Sequence, residues 1–110
     1  MIPRLIGLFA ASVLAGWSLS SLASTPEALS VSQKGTQFLP GTLTVNPGGV
    51  IRITNDDPFV HHVYVESPGF AYDSGEQRPG VVIAVRMDKP GQHVLQCAIH
   101  LKMKLHVTVR

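Results

Sequence analysis

Cysteine is nearly absent from this sequence: Cys97 is the only one in 110 residues. A single thiol excludes an intramolecular disulfide, and it excludes the Cys-x-x-Cys-His run that attaches a c-type haem. Aromatic side chains make up only 6% of the chain, so any core must be built from aliphatic residues. Charged residues make up 15%, with no run of Lys or Arg and no aromatics interleaved among them. That removes the electrostatic footprint of a nucleic-acid-binding surface. The formal net charge is +2, and Arg4 is the only charged residue among the first 23, so the remainder carries +2 − 1 = +1. The pI of about 9.0 therefore marks a small excess of cations, not a basic face. Hydrophobic residues are 45% of the chain, which suits a single folded domain.

The first residues stand apart from that domain. Arg4 precedes an almost wholly apolar or small stretch from Leu5 to Trp17, and Ser21-Leu22-Ala23 then sets small residues at the two positions a signal peptidase inspects. This is the pattern of a secretory signal peptide over 1–23, cut after Ala23 or Ser24, with the working domain at 24–110. The apolar run is shorter than the roughly 20 residues of a membrane-spanning helix, so no stable membrane span is expected after cleavage. There is no twin-arginine pair and no cysteine near the cut to take a lipid. An exported, periplasmic setting leaves Cys97 as an unpaired thiol in an oxidising compartment, a liability unless something protects it or uses it. A bound metal does both.

Helical periodicity is scarce beyond the leader, and alternation with period two replaces it. Leu29 and Val31 alternate with Ser30 and Ser32, Leu43 and Val45 with Thr42 and Thr44, Val63 and Val65 with His62 and Tyr64, and Leu105, Val107 and Val109 with His106, Thr108 and Arg110. Val50–Thr54, Val94–Cys97 and the longer apolar run Val81–Met87 complete about seven strands, the last suited to burial on both faces. Turn-formers separate them, among them Asn46-Pro47-Gly48-Gly49, Asn55-Asp56-Asp57-Pro58 and Lys89-Pro90-Gly91. The expected fold is all-β, an antiparallel-rich Greek-key β-sandwich. Ser67 to Pro79 is the longest irregular segment and reads as a solvated surface loop with one aromatic tucked under it.

The segment that carries chemistry is Cys97-Ala98-Ile99-His100-Leu101-Lys102-Met103, a Cys-x-x-His-x-x-Met pattern between two expected strands. Taken singly, each of these residues is ordinary: a lone Cys or Met is usually a core filler. Together, thiolate, imidazole and thioether within seven residues suit copper, since two His and one Cys in a trigonal set with a long axial Met make a blue-copper electron-transfer site. Met is a poor zinc ligand. A second His must come from elsewhere, and His61 is the best candidate, with His62 beside it as the alternative. Successive strand residues point to opposite faces, and His61 shares its face with Val63 and Val65, whereas His62 shares its face with Tyr64 and Glu66. Parity selects His61. His93 shares parity with Cys97, but four residues of strand span roughly 13 Å, too far for the same ion. His106 faces outward, opposite Leu105 and Val107.

The residues from Ile53 to Val63, Phe38-Leu39-Pro40 with Leu43-Thr44-Val45 and Gly48, Gly91 to Cys97, and the Cys-x-x-His-x-x-Met loop together resemble the cupredoxins, most of all the plastocyanin/amicyanin branch of small blue copper proteins. His62 stands where that family commonly has an Asn that braces the ligand loop, and His93 where an aromatic is usual. The resemblance implies one copper ion bound by His61, Cys97, His100 and, more weakly, Met103. It implies a non-enzymatic carrier, expected as a monomer, that shuttles single electrons between redox partner proteins such as a cytochrome or a dehydrogenase. His100 is then expected at the surface, with Leu101 in an apolar contact patch and Lys102 and Lys104 available to steer an acidic partner. A multicopper enzyme would need further His sets, typically His-x-His pairs, and several domains, which this chain lacks. The competing reading with the same ligands is a periplasmic copper carrier or chaperone, although the chain has no additional Met-rich or His-rich tract.

Overall fold

The computed structural model describes residues 25–110. The expected leader over 1–23 and both candidate cleavage points lie outside the described residues. Nine strands follow in order: β1 (Ala28–Gln33), β2 (Phe38–Leu39), β3 (Thr42–Val45), β4 (Gly49–Asn55), β5 (Val63–Ser67), β6 (Phe70–Asp73), β7 (Val82–Met87), β8 (Gly91–Cys97) and β9 (Lys104–Val109). They form a four-stranded sheet in the order β2-β1-β4-β7 and a five-stranded sheet in the order β3-β9-β8-β5-β6. The chain crosses repeatedly from one sheet to the other, which makes β1–β4 and β3–β9 parallel neighbours. The remaining pairings are antiparallel. The all-β, antiparallel-rich sandwich expected from the alternation is the observed architecture.

The period-two pattern dictates the core. Val31, Ile51, Ile53, Val85 and Met87 turn inward from the first sheet, and Val63, Val65, Leu95, Cys97, Leu105 and Val107 turn inward from the second. Each of the aliphatic side chains contributes about 1.5–3 kcal/mol by leaving water. Aliphatic side chains from the two facing sheets fill most of the space between them, but not all of it: among the described residues Phe38, at 3% exposure, is the one aromatic buried in that core.

Three expectations are corrected. About seven strands become nine, because Phe38–Leu39 and Phe70–Asp73 also pair. Ser67–Pro79 is therefore not simply a surface loop: Pro68-Gly69 turns the chain, and β6 returns antiparallel to β5. Gly69 carries the positive φ of 78° that such a turn requires. A side chain there would also meet Lys89, whose Nζ lies 2.7 Å from the position a Cβ would take. Finally, Val82–Met87 is not covered on both faces. It is an edge strand paired only to β4, with Val85 and Met87 buried and Val82, Ala84 and Arg86 exposed. The run reads as uninterrupted because small or apolar residues also occupy two of its outward positions.

Candidate metal centre

Strand pairing assembles the site at one end of the sandwich. Val63 on β5 pairs with Cys97 on β8, so His61, two residues before Val63, reaches the same end as the thiol. Gln96 pairs with Lys104 across the β8–β9 hairpin, which makes Cys97 to Met103 the connection between those strands. Met103 N–H donates to the His100 carbonyl at 3.0 Å and closes that loop. Ala98 N–H donates to the His62 carbonyl at 2.8 Å, tying the loop to the segment that carries His61.

The side chains then converge. Cys97 Sγ lies 3.7 Å from His61 Nδ1 and 3.6 Å from His100 Nδ1. One donor atom from each of the three residues falls within 4.8 Å of the others. Nitrogen and sulfur donors bound at about 2.0–2.3 Å to one first-row ion at tetrahedral to trigonal angles stand about 3.6–3.8 Å apart. The observed separations therefore fit a single metal ion. His61 and Cys97 are buried, at 0% and 1% exposure, and His100 is partly exposed. Met103 is buried at 2% in the same core as Cys97 and follows directly in the loop. Two imidazoles, a thiolate and a thioether form a soft-to-borderline donor set that suits copper.

Parity is realised as read: His61 faces in, and His62 faces out. The outward His62 imidazole bonds Asp73 at 2.5 Å, and its backbone carbonyl, not its side chain, braces the ligand loop. His93 is buried away from the cluster, opposite Val107, between Ser67 Oγ at 2.7 Å and the Lys89 carbonyl at 2.8 Å. His106 is exposed.

The support beneath His61 was missed in the sequence. His61 and Gln77 exchange backbone hydrogen bonds of 3.0 and 2.8 Å, an isolated bridge inside the supposed loop. Asn55 Nδ2 donates to the carbonyls of Phe59 and Gln77, at 2.8 and 3.0 Å, and its Oδ1 accepts from Asp57 N–H at 2.9 Å. His61 Nε2 lies 2.9 Å from Asp57 Oδ2, and Gly35 and Thr36 N–H groups donate to the same carboxylate at 2.7 and 3.0 Å. Burial by itself raises the Asp57 carboxyl, but the hydrogen bond with His61 and those from Thr36 and Gly35 outweigh it and hold it below its ordinary value. Phe59 packs on both imidazoles, its ring 5.5 Å from His61 and 5.3 Å from His100. The only written signal of this support is an Asn and an Asp, six and four residues before the histidine, in a turn whose polar residues read equally well as solvated.

No protein-family model matches the chain, and no curated protein sequence matches it. Solved structures do. A variant of amicyanin in its Cu(I) form superposes with a TM-score of 0.69 at 16% identity, over 76% of this chain and 82% of its own. A purple cupredoxin from Nitrosopumilus maritimus gives 0.65 at 18% identity, over 74% of this chain and 99% of its own. The fold is cupredoxin-like. The copper-containing nitrite reductase from Thermus scotoductus SA-01 contains the same fold, with a TM-score of 0.71 at 23% identity over 84% of this chain. This cupredoxin-like chain spans only 24% of that enzyme's length. Among the described residues, no helix is long and apolar enough to cross a membrane.

Proposed function

We propose that this cupredoxin-like chain is an exported blue copper protein that binds one copper ion through His61, Cys97, His100 and Met103 and carries single electrons between redox partner proteins. The observation that carries the reading is the convergence of His61 Nδ1, Cys97 Sγ and His100 Nδ1 within 4.8 Å. The copper forms named for amicyanin and for the nitrite reductase, both built on this fold, support the same metal. Copper at this place supplies a one-electron Cu(II)/Cu(I) couple.

The chain's own part is to hold the donors in nearly one arrangement and to exclude water. His61, Cys97 and Met103 are buried in the sandwich, and backbone hydrogen bonds tie both donor segments together. That burial favours an electron carrier over a copper chaperone, which must release its ion easily. Phe59, Ile99 and Leu101 are 40%, 52% and 74% exposed around the accessible His100, with Lys102 exposed beside them. An apolar face with a basic margin suits a small, short-lived contact with an acidic redox partner. The leader over 1–23 supports export to the periplasm.

The carrier is separated from the chaperone by two rates measured on the copper-loaded protein: electron exchange with a small redox dye and loss of copper to a chelator. Fast exchange with slow loss is expected. Slow exchange with fast loss contradicts electron carriage while leaving the copper site intact.

A further inference from the structure

We propose that Asp57 is the positioning residue of the metal centre: its carboxylate fixes His61 with Nδ1 free for the ion and biases the site toward the oxidised metal. The inference rests on the copper reading above for its second half; the first half is a property of the metal-free chain. Imidazole presents one lone pair when neutral, and whichever nitrogen is hydrogen-bonded as a donor leaves the other as the ligand. Asp57 Oδ2, 2.9 Å from His61 Nε2, is an acceptor, so the ring must hold its proton on Nε2 and aim Nδ1 at Cys97 Sγ, 3.7 Å away. The carboxylate is itself held. Gly35 N–H donates to Oδ1 at 2.7 Å, Thr36 N–H donates to Oδ2 at 3.0 Å, and the Asp57 backbone N–H is anchored on Asn55 Oδ1 at 2.9 Å. Gly35 and Thr36 both have positive φ, 63° and 55°, and Thr36 is the one non-glycine residue described with such a value. The β1–β2 turn therefore takes a conformation of restricted access and presents two successive amides to this carboxylate.

The charge consequence follows from position. With a thiolate from Cys97, the ion and its ligands carry a formal charge of +1 as Cu(II) and zero as Cu(I). A buried negative carboxylate one imidazole away attracts the first and is indifferent to the second. Asp57 therefore lowers the reduction potential relative to a neutral residue of the same shape.

Two measurements test this. In the metal-free protein at pH 8, nitrogen chemical shifts of the His61 ring should report the Nε2–H form, and Asp57→Ala should mix the two tautomers. In the copper-loaded protein, Asp57→Asn should keep the thiolate-to-copper band, while the one-electron reduction equilibrium moves at least tenfold toward Cu(I), a rise of about 59 mV. Asp57→Glu, which keeps the charge, should restore most of the parent potential. An Nδ1–H parent overturns the positioning role. An Asn variant that holds copper at the parent potential overturns the electrostatic one. Failure of the parent itself to bind copper contradicts the copper reading and the electrostatic claim with it, while the tautomer measurement still decides whether Asp57 positions His61.

Discussion

Asn55 offers the most informative perturbation of the scaffold. Its side chain is 1% exposed and makes three hydrogen bonds: Nδ2 to the Phe59 and Gln77 carbonyls, and Oδ1 from Asp57 N–H. It joins the end of β4 to the turn that carries Asp57 and Phe59 and to the bridge partner of His61. In Asn55→Ala all three bonds are lost. At about 0.5–1.5 kcal/mol for each bond, the loss is about 2–4 kcal/mol. For a domain of this size each kcal/mol lowers Tm by about 4–8 °C, so a fall of about 8–32 °C is expected in the metal-free protein. Asn55→Asp keeps the acceptor but loses both donors, and it places a second carboxylate near Asp57 facing two carbonyls. It should be at least as unstable as the Ala variant at neutral pH. Urea unfolding followed by circular dichroism measures both, with an unchanged dependence on denaturant showing that only stability moved. If Asn55→Ala lies within about 0.5 kcal/mol of the parent, the turn does not depend on this side chain, and the account of how His61 is supported is wrong.

The opposite sign is expected at Gln33. Its side chain is 0% exposed, and neither Oε1 nor Nε2 finds a hydrogen-bond partner among the described residues. Gln33→Leu, of similar volume, should be neutral or stabilising by about 1–3 kcal/mol in the same unfolding assay, and a clear loss of stability would contradict that reading. At the surface, a hydrogen bond from Gly75 N–H, and then the bond with His62, hold the Asp73 carboxyl below its ordinary value of 3.8. A depressed carboxylate stabilises the fold above the unfolded pKa and ceases to do so as pH falls through the folded one. The parent should therefore exceed Asp73→Asn in stability by a constant margin above about pH 5, and that margin should vanish as the pH is lowered below 3.8. A margin that grows on acidification would show the sign to be wrong.

The period-two alternation made the strands legible because each is half-buried: Leu105, Val107 and Val109 face the core while Lys104 and His106 face water. It misled at Val82–Met87, where apolar residues also stand on the exposed side of an edge strand. It was silent at Phe70–Asp73, a strand too short and too weakly alternating to stand out. The donor set was legible for a different reason. Cys97, His100 and Met103 are close in sequence because one loop presents them, and parity then distinguished His61 from His62. The polar support was not legible. Asn55, Asp57 and Gln77 act through contacts that only the finished packing creates, and Gln77 reaches His61 from inside a segment that reads as a loop.

The central claim is that these donors hold one copper ion through the cysteine. Titrating the purified metal-free protein with Cu(II), and recording visible and electron-spin spectra, tests it most directly. One equivalent should produce an intense thiolate-to-copper band that is absent in Cys97→Ser. A protein that stays colourless, or that binds copper equally well without the Cys97 thiol, would contradict the account.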